Sequence, residues 1–61
     1  MDPNATLRLI ADALERDDID AARAARTDLR AWMKRGGFAP NWDKHERAAS
    51  FVQFSAEYFA G

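Results

Sequence analysis

Leu29-Arg30-Ala31-Trp32-Met33-Lys34-Arg35-Gly36-Gly37-Phe38-Ala39-Pro40-Asn41-Trp42 is the stretch that decides the fold. Its first half reads as the end of a helix. Lys34 and Arg35 put positive charge in the last turn, where it favours the helix dipole. Gly36-Gly37 then supplies the left-handed residue that stops a helix. Pro40 cannot continue a helix, and the residue before it is biased to extended backbone. The apolar turn over 36–42 therefore separates two helices.

Reading backwards, Ala22, Ala25, Leu29 and Trp32 recur at spacings of three and four, the seam of a packed helix pair. Met33 widens that seam. The spacing predicts a helix over about 18–35, capped by Asp17 or Asp18 in the acidic run Asp17-Asp18-Ile19-Asp20. Further back, Leu7, Ile10, Ala11 and Leu14 mark one apolar stripe of an earlier helix, about 3–16. Asp2-Pro3 reads as its cap and first helical residue, with Asn4 as a competing cap. The link between these helices is so short that they must run antiparallel. Leu9 falls on the far side of the first helix.

Reading forwards, a third helix is expected from Asn41 or Asp43 to about residue 59. Asp43 and Glu46 have the spacing of a capping box. Ala48, Phe51, Val52, Phe54, Tyr58 and Phe59 spread over an arc of about 160°. A surface helix needs only about 100° of apolar face. Either this helix fits the groove between the first two, or part of its face meets another chain. The expected fold is all-α: a small three-helix domain, an antiparallel hairpin plus a C-terminal helix.

Composition narrows the function. The chain has 61 residues and no Cys, which removes a disulfide framework and a thiolate metal site. Thirteen residues are Ala and only 11 are Leu, Ile, Val or Phe, so the aromatics must supply much of the core. Net charge is −1, unlike the strongly basic balance of a general polyanion binder. The acidic, polar start is unlike a signal peptide, and no apolar run approaches the ~18 residues of a membrane span. A cytoplasmic protein is the expectation.

No residue set points to catalysis. Ser50 and Ser55 have no His at a useful spacing, and the carboxylates fall at caps or on polar faces. Gly36-Gly37 lacks the preceding strand and following Gly-Lys-Ser/Thr of a phosphate loop. His45 with Asp43 and Glu46 does not converge as a metal site, because neighbours at i, i+2 face apart on a helix. No enzyme activity, cofactor or metal is expected.

Two binding surfaces remain. Arg23, Arg26, Arg30 and Lys34 form a basic stripe on the second helix, readable as a phosphate footprint or a solvated face pairing with neighbouring acids. Trp32, Phe38, Trp42 and Tyr58 are many large aromatics for so short a chain. Trp32 and Phe38 are expected in the core. Trp42 and Tyr58 are divided between core and interface; Phe51, Phe54 and Tyr58 lie along one edge of the third helix, and Val52 and Phe59 along the other.

The opening Asp-Pro-Asn-Ala, the acidic hairpin and the stretch Leu29-x-x-Trp32-x-x-x-Gly36-Gly37-Phe38-x-Pro40-x-Trp42 resemble a group of small uncharacterised proteins of actinobacteria and their phages. The resemblance covers about residues 1–42. It implies a setting and no activity: a phage or phage-derived accessory protein in a bacterial cytoplasm. The third helix is the part not shared with relatives that end soon after the Pro.

The expected function is a non-enzymatic protein-interaction module, with Trp42, Phe51, Phe54 and Tyr58 as candidate contacts. The alternative is a small nucleic-acid-binding protein using Arg23, Arg26, Arg30 and Lys34. The width of the third helix also predicts a homodimer through its aromatic edge.

Overall fold

A computed structural model describes residues 1–54 of the chain. The described residues form three α-helices and no strand: α1, Pro3–Glu15; α2, Ile19–Lys34; and α3, Glu46–Gln53, preceded by a 3-10 turn at Trp42–Lys44. Tyr58, Phe59 and the expected C-terminal end of α3 lie outside the described residues.

α1 begins as its sequence dictates. The Asp2 carboxylate accepts from the backbone N–H groups of Asn4 and Ala5, at 3.0 and 3.4 Å. Pro3 occupies the first helical position and is buried. Asn4 does not compete for the cap. Its Oδ1 instead accepts from the Asn41 N–H at 2.7 Å, which ties the end of the long turn to α1.

The link to α2 is only Arg16, Asp17 and Asp18. The Asp18 N–H reaches the Ala13 carbonyl at 2.8 Å and the Asp17 N–H that of Leu14 at 3.2 Å, the paired bonds of a Schellman stop. Asp17 takes the left-handed conformation this stop requires, with φ of 56°. Asp18 then caps α2, its Oδ1 accepting from the Ala21 N–H at 3.2 Å. One residue closes the first helix and the next opens the second, so α1 and α2 pack as an antiparallel hairpin.

The core is Leu7, Ile10, Ala13 and Leu14 of α1, Ala22 and Leu29 of α2, and Ala48 and Val52 of α3. Trp32, Met33, Trp42 and Phe51 pack against it, half-buried. Small Ala side chains let the backbones approach closely. The third helix sits against α1 and, through Phe51, against Arg26 of α2.

The start of α3 departs from expectation. The chain makes a 3-10 turn at Trp42–Lys44, and the Asn41 side chain accepts from the Asp43 N–H at 3.2 Å. His45, with φ of −141°, breaks the path, and α3 begins only at Glu46. No side chain caps it, so the Asp43–Glu46 capping box does not form. Asn41 takes the capping role two residues earlier, because its backbone is already held by Asn4.

Candidate protein-interaction surface

The turn between α2 and α3 is held by contacts at both of its ends. α2 ends as its sequence indicates, with Gly36 at φ of 94°. The Gly36 N–H bonds to the Met33 carbonyl at 3.1 Å, and the Gly37 N–H to that of Trp32 at 3.0 Å. These are again the two bonds of a Schellman stop. Gly37 has a second duty. A Cβ there would run into the Trp32 indole, so only glycine lets the ring lie under the turn.

Trp32 uses that space. Its Nε1–H donates to the Phe38 carbonyl at 3.0 Å. Its ring meets the Phe38 ring edge to face, centroids 5.9 Å apart at 83°. An edge-to-face pair places the positive rim of one ring on the negative face of the other. Downstream, Pro40 is buried and the Asn41 N–H is held by Asn4. The turn is thus fixed at Gly37, Phe38, Pro40 and Asn41.

Phe38 corrects the sequence-based expectation. It is not core: 63% of it is exposed. Trp32, although half-buried, takes the inner seat and leaves Phe38 riding on its outer side. The bare Cα of Gly37 makes room for the Trp32 ring. A signal existed in the Trp-x-x-x-x-Gly spacing, since a Schellman stop sets the third-last helical residue against the residue after its left-handed one.

The other candidates divide. Trp42 and Phe51 are half-buried and pack on the core, so each offers only an edge to a partner. Phe54, just past α3, is 66% exposed. Tyr58 lies outside the described residues. Among the described residues the aromatic edge expected on the third helix is therefore split. Phe51 lies under an arginine and Phe54 faces outwards, while Val52 of the opposite edge is fully buried.

That arginine corrects a second expectation. Arg26 is only 3% exposed, and its guanidinium carbon sits 4.6 Å from the Phe51 ring centre. Position 26 falls on the core line through Ala22 and Leu29. Its apolar stem fills space between α2 and α3, and its planar head rests on an aromatic face. The stripe of Arg23, Arg26, Arg30 and Lys34 thus loses its second member to the interior. Arg23 and Lys34 are exposed, and Arg30 is half-buried. His45 is half-buried where the 3-10 turn meets α3. Among the described residues no three His, Cys, Asp or Glu side chains converge as a metal site, and no helix is long and apolar enough to cross a membrane.

Comparison with known proteins finds no matching family model, no matching curated protein and no matching solved structure.

Proposed function

We propose that this chain is a non-enzymatic protein-interaction module, and that Phe38 is the anchor it offers. The observation that carries this reading is the combination of exposure and fixation at one residue. Phe38 shows most of its surface to solvent, yet its carbonyl and its ring are both held by Trp32. A large side chain fixed before binding loses little conformational freedom on binding. Aromatic anchors of this kind dominate the energetics of many interfaces. Phe54 and the outer edges of Trp42 and Phe51 would widen the contact.

The nucleic-acid alternative is the weaker reading. With Arg26 turned inward at 3% exposure, the stripe keeps only Arg23, Arg30 and Lys34, spread along the length of α2. Net charge of −1 gives no long-range attraction for phosphate. The resemblance of the Trp32–Pro40 stretch to small actinobacterial and phage proteins supplies the setting: an accessory protein binding a host or phage protein in a bacterial cytoplasm.

Paired affinity capture tests this. Wild-type and Phe38→Ser baits are exposed to actinobacterial lysate, with and without nuclease, in low and high salt. A protein retained by the wild type and lost with the variant supports the reading. Retention that disappears on nuclease treatment or in salt favours nucleic acid, because phosphate contacts release counterions.

A further inference from the structure

The outer face of α1 carries a second, unrelated surface. Ala5, Arg8, Leu9 and Asp12 stand at i, i+3, i+4 and i+7, on the side turned away from Leu7, Ile10 and Leu14. Leu9 is 61% exposed. The stripe forms one wall of an open groove of about 660 Å³ whose other wall is Lys44 and His45. Asp2 closes the end beside the α1 cap.

The charged residues that line the groove with Leu9 are two of each sign. Arg8 and Lys44 are positive; Asp2 and Asp12 are negative. A surface with this pattern suits neither a polyanion nor a strongly charged peptide. It suits itself. In a two-fold interface the same patch meets its own copy, so each charge must find its opposite on the same surface.

Geometry meets that demand. Two antiparallel helices related by a two-fold near position 10 bring Arg8 of one copy level with Asp12 of the other, and the reverse. At 1.5 Å of rise per residue, the two Leu9 side chains then lie about 3 Å apart along the axis and pack against each other. We propose that a second copy of this chain docks here, α1 against α1, with Leu9 at the centre and two reciprocal Arg8–Asp12 pairs around it. This inference does not depend on the Phe38 surface, which lies on a different segment. The α3 edge, of which Tyr58 lies outside the described residues, is the rival site of self-association that the test below separates from this one.

Charge reversal tests it in the full-length chain. Sedimentation equilibrium at tens of micromolar should find wild type at twice the 6.9 kDa chain mass. Arg8→Asp alone and Asp12→Arg alone should each sediment as monomers with wild-type circular dichroism. An equal mixture of the two variants should restore a dimer. One copy then carries acids at both positions and the other carries bases at both, so each pair across the two-fold joins opposite charges. Pairing within one helix cannot produce that rescue. Leu9→Glu should also give a monomer. A monomeric wild type would overturn the proposal. So would dimers that survive both single reversals, or dimers dissociated by Phe54→Glu but not by Leu9→Glu.

Discussion

Trp32 does three things at once: it packs on the core, holds the turn through one hydrogen bond and props Phe38 outward. The parts are separable by substitution. Trp32→Phe keeps an aromatic ring but loses the donor to the Phe38 carbonyl, and should cost about 1 kcal/mol in urea unfolding. Gly37→Ala drives a Cβ into the indole and should cost about 1–3 kcal/mol, the usual result of overfilling a packed site. Phe38→Ser should change stability by less than about 1.5 kcal/mol, since little beyond an edge-to-face pair is lost. Arg26 behaves in the opposite way to a surface cation. Arg26→Ala should destabilise by about 1–3 kcal/mol, and Arg26→Met by less, because the apolar stem is kept. Equal losses for Ala and Met would show that packing of the stem contributes nothing.

At the scale of elements, the ends of the helices set the architecture. Two Schellman stops, at Asp17-Asp18 and Gly36-Gly37, fix where α1 and α2 end. They are unequal. Gly36 adopts its left-handed backbone without penalty, whereas Asp17 adopts the same region with a Cβ. Asp17→Gly should therefore raise stability by about 0.5–1 kcal/mol, visible as a shift of the urea midpoint with unchanged slope. A lower midpoint would mean that the Asp17 side chain contributes more than its backbone costs. Asp2-Pro3 and Gly36-Gly37 are legible from residue types alone, whereas the acidic run leaves Asp17 and Asp18 equal as the cap of α2, and the structure assigns it to Asp18. The start of α3 is not. Asp43 and Glu46 have capping-box spacing, but the tie from Asn4 to Asn41 spans 37 residues of sequence. Local pattern has no access to such a contact, and it moves the capping role to Asn41 and the helix start to Glu46.

For the whole molecule, the apolar stripes of α1 and α2 follow from periodicity, and the hairpin follows from a link of only Arg16, Asp17 and Asp18. The surface is harder to read because it depends on which side chain wins a shared space. Trp32 and Phe38 both qualify for the interior, and only the missing Cβ of Gly37 decides between them. Arg26 reads as one step of a basic stripe as long as α2 is taken alone; α3 covers it and sets Phe51 beneath its guanidinium. Both corrections point the same way, removing a cation from the surface and adding an aromatic ring. A protein partner held mainly by that ring should bind with weak dependence on ionic strength, in contrast to a partner held by phosphate. A salt series from low to near-molar chloride should leave the captured protein in place. The most direct measurement is photo-crosslinking from a reactive phenylalanine analogue placed at position 38, with the same analogue at exposed Ala24 on α2 as the control. Cross-links to one specific protein from position 38, and none of that product from position 24, is the predicted result. The same products from both positions, or none from position 38, would contradict Phe38 as the anchor of an interaction surface.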